Sequence, residues 1–134
     1  KLSFLSGIPS RWKDSSNLEA ISIWGDGSAQ RDFLYIDDCI DAIINLAEIQ
    51  FNGTVNVSSK TLTSIKNLTE IIKKETKFNG LIKYDKTKPS GQKQRIMDTS
   101  KMDILGWYPK THLEDGISKT VSWFRKNRSN IREI

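Results

Sequence analysis

The chain is predicted to fold as a small mixed α/β domain, on three observations. Short apolar runs, Ile21-Ser22-Ile23-Trp24, Phe33-Leu34-Tyr35-Ile36, Thr54-Val55-Asn56-Val57 and residues 81–84, have strand length and strand composition. Between them lie stretches whose apolar residues recur at helical spacing. Turn residues punctuate the junctions, at Gly25-Asp26-Gly27, Asn52-Gly53, Asn79-Gly80, Pro89-Ser90-Gly91 and Gly106.

Taken in order, residues 1–19 form a poorly defined N-terminal segment. Pro9 breaks any helix begun at Leu2, and Ser10, Ser15, Ser16 and Asn17 suggest a loop. Lys1 to Leu5 opens like a signal peptide, but Gly7 and Pro9 cut it off before an apolar region develops. Residues 20–126 hold the domain. Its first strand ends at Trp24, and its second covers residues 33–36. Asp37 stands where an N-cap belongs, ahead of a helix with Ile40, Ile43, Ile44 and Ala47 inward. Asn52-Gly53 ends that helix, and a strand follows at 54–57. Thr63 caps a second helix with Ile65, Leu68, Ile71 and Ile72 on one face, stopped by Asn79-Gly80. A strand at 81–84 leads into a loop at 89–91, and a short helix runs from Ser100 to Leu105. Thr111 and Glu114 have capping-box spacing and open a last helix, with Leu113, Ile117, Val121 and Phe124 inward. Residues 127–134 make a basic tail expected to fray.

Hydrophobic residues at 37% and charged residues at 28% are an ordinary balance for a domain with its own core. No stretch approaches the roughly 20 apolar residues of a membrane span, so no membrane partner is expected. The single Cys39 leaves no internal disulfide and fits the reducing cytoplasm. His112 is the only histidine, so no histidine cluster for a metal exists. A net charge of +5 raises the question of nucleic acid, yet the basic residues are scattered and mixed with acids. Phosphate on a small molecule is the better-matched partner, with no nucleic acid expected.

The stretch Trp24-Gly25-Asp26-Gly27-Ser28-Ala29-Gln30-Arg31-Asp32-Phe33-Leu34-Tyr35-Ile36-Asp37-Asp38 carries the strongest functional signal. Three others follow it in order: Thr54-Val55-Asn56-Val57-Ser58-Ser59, the basic loop Lys86 to Arg95, and Asp98-Thr99-Ser100-Lys101 with Leu105-Gly106-Trp107-Tyr108-Pro109-Lys110. Together they resemble the C-terminal, substrate-binding part of extended short-chain dehydrogenases/reductases, the NAD-dependent epimerase/dehydratase family. Lys88-Pro89-x-Gly91 is similar to the GDP-L-fucose synthase branch. The resemblance departs at Ser58 and Lys60, where glycines are usual, and at Ser90, where an aspartate is usual.

The resemblance implies a nucleotide-sugar substrate. It implies substrate contacts at Trp24, Arg31, Ser90 and Arg95, with the two arginines on the diphosphate, which guanidinium groups can bind bidentately. For the intact enzyme it implies epimerisation and NADPH-dependent reduction of a GDP-4-keto-6-deoxy sugar. The alternatives are another nucleotide-sugar 4-epimerase or dehydratase and, from a different class, a degenerate non-catalytic module that binds a phosphate ligand or a partner.

The cofactor side of such an enzyme is not legible here. Gly25-x-Gly27 leads into a strand rather than a helix, unlike the dinucleotide fingerprint. Tyr84-x-x-x-Lys88 matches a catalytic tyrosine–lysine pattern by letters, but it leaves a strand toward Pro89, where no helix would stack the two side chains. The expectations are therefore no catalytic, cofactor-binding or metal residues in this chain, most or all of the Rossmann cofactor domain lacking, and no activity alone. NADP(H) would belong to the intact enzyme. An apolar surface facing the missing half is expected, with self-association into a homo-oligomer as its consequence.

Plainer roles stand beside several of these. Arg31 has Asp26 and Asp32 as nearby carboxylates, Trp24 has core as an alternative, and Asp37 and Asp38 fit helix capping better than a catalytic pair. Trp107, Tyr108, Trp123 and Phe124 are expected to pack.

Overall fold

The structure, a computed structural model, describes residues 19–128. The expectations for the N-terminal segment, apart from Glu19, and for the tail beyond Arg128 lie outside the described residues. Among the described residues four strands and four helices follow one another: β1 (Ala20–Trp24), β2 (Gln30–Asp32), α1 (Ile36–Glu48), β3 (Leu62–Ser64), α2 (Ile65–Thr76), β4 (Leu81–Asp85), α3 (Ser100–Ile104) and α4 (Leu113–Asn127). The strands form two separate pairs, a parallel β1–β4 and an antiparallel β2–β3. The mixed α/β class is as expected.

Leu34, Leu46, Val55 and Val57 pack around the buried Ala42, Met102 and Trp107, which joins α1, α3 and the loop after α3. The Trp107 indole N–H donates to Asp41 Oδ2 at 2.9 Å, so its one polar atom is satisfied inside the packing. A second apolar region lies between α2 and α4, where Phe33 and Tyr35 help line a cleft of ≈ 250 Å³.

Several boundaries differ from the sequence expectation, each for a physical reason. The second strand is Gln30–Asp32, not residues 33–36. Its ladder partners lie at Leu62–Ser64, while Phe33 to Tyr35 turn toward the α2–α4 cleft and Ile36 begins a helix. Tyr35, not Asp37, is the N-cap of α1, with no side-chain bond to the helix amides. Asp38 is buried and reaches across to the strap before α4, accepting from Thr111 N at 2.9 Å and Thr111 Oγ1 at 3.1 Å. Thr111 is thereby taken from the expected capping box, and His112 becomes the N-cap of α4.

The inward face of α1 is also different. Ala42 is fully buried and Leu46 packs on the core, whereas Ile40, Ile43 and Ile44 are 47%, 59% and 52% exposed. The helix is apolar on two sides, and the Trp107–Asp41 bond selects the side carrying Ala42. Residues 54–57 form no strand, because no other strand lies beside them among the described residues. Val55 and Val57 still pack on the core from this chain segment.

Helix α2 is capped by Ser64, whose hydroxyl accepts from Asn67 N at 3.0 Å, while Thr63 is buried on β3. It ends at Lys77 in the left-handed conformation (φ 59°), ahead of the expected Asn79-Gly80 stop. Trp107 packs as expected and Phe124 is half-buried, whereas Trp123 and Tyr108 are more than half exposed.

Candidate functional site

The site begins where β1 runs out. Gly25 N continues the ladder to Asp85 O at 2.9 Å, and the chain then reverses through Gly25 (φ 83°) and Gly27 (φ 76°). Both positions need glycine twice over, for the left-handed backbone and for space. A Cβ on Gly25 would lie 2.7 Å from Ser90 Oγ, and one on Gly27 would lie 2.6 Å from Tyr84 Cε1. The Asp26 carboxylate closes the turn by accepting from the Ser28 hydroxyl and amide, and those bonds hold its pKa below the ordinary 3.8. These glycines therefore shape a turn against the loop after β4; they do not open a helix over a dinucleotide.

That turn delivers Arg31 onto β2. Gln30 N donates to Lys93 O at 2.8 Å and Gln30 forms a parallel bridge with Gln94, so the basic loop lies along β2 as a partial strand. Arg31 is half-buried, and its Nη1 donates to Gln30 O at 2.6 Å and Gln92 O at 2.8 Å. Its partners are thus main-chain carbonyls. The neighbouring Asp32 is engaged elsewhere, accepting from the Ser58 hydroxyl and from Ser59 N at 2.9 Å.

The other three residues implied by the resemblance gather around the same loop. Trp24 is 47% exposed, which removes it from the core, and Lys88 Nζ sits 5.9 Å from its ring centroid. Ser90 lies on Gly25. Arg95 is exposed and donates through Nη2 to Gln92 Oε1 at 3.3 Å. Gly91 (φ 71°) adjoins Arg31, with a Cβ there falling 3.5 Å from Nη2. Trp24, Arg31, Ser90 and Arg95 are therefore tied to one end of the molecule by the 88–95 loop. Sequence reading missed Lys88 and Gln92 as individual residues. Lys88 was legible in the basic loop, but the role of Gln92 arises from a cross-loop contact that carries no local signature.

The departures from the family pattern are built into the structure. Ser58 is buried and bridges Asp32 to Lys60 N at 2.9 Å. Lys60 holds φ 61°, the backbone region a glycine would favour, with its Nζ paired to Asp103 and 4.2 Å from the Tyr108 ring centroid. Tyr84 sits on β4 with its hydroxyl buried and without a hydrogen-bond partner among the described residues. Lys88 lies beyond it in the loop, so the two do not share a helix. Among the described residues no cluster of three His, Cys, Asp or Glu side chains could hold a metal. No described helix is long and apolar enough to cross a membrane.

Comparison with known proteins gives this geometry a lineage. GDP-L-fucose synthase 1 of Arabidopsis thaliana is 40% identical over 114 residues, which are 84% of this chain and 35% of that protein. A solved GDP-mannoheptose C4 reductase from Campylobacter jejuni with NADP bound is 27% identical at a TM-score of 0.67, over 80% of this chain and 35% of its own. UDP-glucose 4-epimerase from Thermotoga maritima, solved with UDP-glucose, is 31% identical at a TM-score of 0.70, over 81% of this chain and 36% of its own. The chain thus spans about a third of the length of the relatives it matches. The family model described as GDP-mannose 4,6 dehydratase matches residues 13–120, and the chain belongs to that family of extended short-chain dehydrogenases/reductases.

Proposed function

We propose that this chain is the nucleotide-sugar-binding portion of a GDP-L-fucose synthase-like epimerase/reductase. The observation that carries the reading is the shared loop. Residues 88–95 bring Arg31 and Arg95, both hydrogen-bonded to Gln92, to the same end as the half-exposed Trp24. A diphosphate carries paired negative charge and is held best by cations from two directions, which β2 and the loop supply. Trp24 covers a sugar or base face and keeps water from it. Ser90, in place of an aspartate, offers a neutral hydroxyl to the sugar.

In the intact enzyme the chemistry is epimerisation of a 4-keto-6-deoxy sugar nucleotide followed by reduction with NADPH. The closely spaced pair Gly25 and Gly27 is committed to the turn after β1 rather than to a strand-to-helix junction, so it does not fit the dinucleotide. The cofactor belongs to a partner domain corresponding to the other two thirds of the relatives. The exposed isoleucines of α1 and the unpaired segment 54–57 support a docking face for that domain. The chain alone binds substrate and turns nothing over.

Calorimetric titration with GDP, GDP-fucose, UDP-glucose and NADPH tests this. The expected result is binding of a nucleotide-sugar but not NADPH, weakened about tenfold or more by Arg31→Ala through loss of a charge-assisted contact. A preference for UDP-glucose would move the chain to the 4-epimerase branch. No binding to any of the four would overturn the reading and leave a non-catalytic module.

A further inference from the structure

We propose that Gln92 is a positioning residue that holds the two arginines convergent without cancelling their charge, and so makes the site prefer a diphosphate to a monophosphate. This rests on the nucleotide-sugar reading above. Gln92 touches both guanidinium groups, accepting from Arg31 Nη1 through its main-chain oxygen at 2.8 Å and from Arg95 Nη2 through Oε1 at 3.3 Å.

Two cations brought to one place repel, and something electronegative must face each of them. A carboxylate would do this but would also remove a unit of the charge that a phosphate needs. An amide oxygen presents only the negative end of a dipole, so both positive charges remain for the ligand. The residue is itself anchored, because Gln30 N donates to Lys93 O at 2.8 Å and Gln30 bridges to Gln94. Arg31 spends Nη1 on two carbonyls, which sets the plane of its guanidinium. Nη2 then lies beside Gly91, where a Cβ would stand 3.5 Å from it.

The test is titration of the full 134-residue chain, as wild type, Gln92→Met and Gln92→Glu, with GDP, GMP and guanosine. Gln92→Met keeps the length and removes the side-chain acceptor of Arg95, while the main-chain oxygen that meets Arg31 stays. It is expected to weaken GDP by about three- to tenfold, to lower the GDP-to-GMP affinity ratio and to leave guanosine unchanged. Gln92→Glu keeps an acceptor and adds a negative charge, and is expected to weaken GDP by about tenfold or more. Neither is expected to move the urea unfolding midpoint, since Gln92 is exposed.

If wild type binds GDP and the ratio is the same in both variants, the role of Gln92 is overturned while the nucleotide-sugar reading stands. A lowered midpoint with an unchanged ratio assigns Gln92 to the fold and overturns the proposal equally. If wild type binds none of the three, the nucleotide-sugar reading fails and this inference fails with it.

Discussion

Lys60 shows how one residue can depart from a family's habit and still serve the same backbone. Its left-handed conformation costs a residue with a Cβ about 1–2 kcal/mol. The ion pair with Asp103 and the contact with the Tyr108 ring return about 1–2 kcal/mol together. Lys60→Ala keeps the cost and loses both contacts, so it is expected to destabilise by about 1–2 kcal/mol. Lys60→Gly loses the same contacts but relieves the backbone, and should come out more stable than the alanine variant. Urea unfolding of both variants checks this, and an alanine variant as stable as the glycine one would refute it. Of the residues implied by the resemblance, the sequence marked Trp24, Arg31, Ser90 and Arg95 through motifs; Ser90 and Arg95 lie in the 88–95 loop, which touches Arg31 on β2 and lies beside Trp24 at the end of β1. The geometry of Gln92 was out of reach, because nothing in a loop's composition says which carbonyl a distant arginine will meet.

Among the elements, strands and helices were legible where a local rule decides them and misplaced where a distant contact does. β1, β4 and the body of α4 follow apolar spacing. The α1 face did not, since Ile40, Ile43 and Ile44 compete with Ala42 and Leu46, and the tie is broken from another element by Trp107 and Lys110. Asp41 receives both, and the bonds from the Trp107 indole first and Lys110 second hold its carboxyl below the ordinary 3.8. Asp85 and Asp98 are lowered in the same way, chiefly by Thr87 and Ser100 respectively. A carboxyl whose folded pKa lies below its unfolded value stabilises the fold above the unfolded pKa. That contribution is lost as pH falls past 3.8 toward the folded values. The urea midpoint is therefore expected to be flat above about pH 5 and to drop on further acidification. Asp41→Asn, which cannot ionise, should make that drop shallower; an identical acid profile in the variant would refute the role given to Asp41.

The molecule as a whole has a satisfied side and an unsatisfied one. The 88–95 loop, β2 and the 58–60 segment are cross-linked by hydrogen bonds, whereas Ile36, Ile40, Ile43 and Ile44 meet no core. The isolated chain is expected to self-associate through that face, as sedimentation over a concentration series would show. Ile40→Lys with Ile43→Lys should restore a monomer without weakening nucleotide binding. A wild-type chain that stays monomeric at high concentration would remove the face as an interface.

Segment 54–57 carries the same imbalance into the life of the protein. Its alternating valines are good strand formers that pack on the core but pair with no strand among the described residues, and an extended segment left unpaired can recruit other backbone. A ribosome releasing this polypeptide on its own would be supplying chaperones and proteases with a client. Its abundance in a cell would then be governed by turnover.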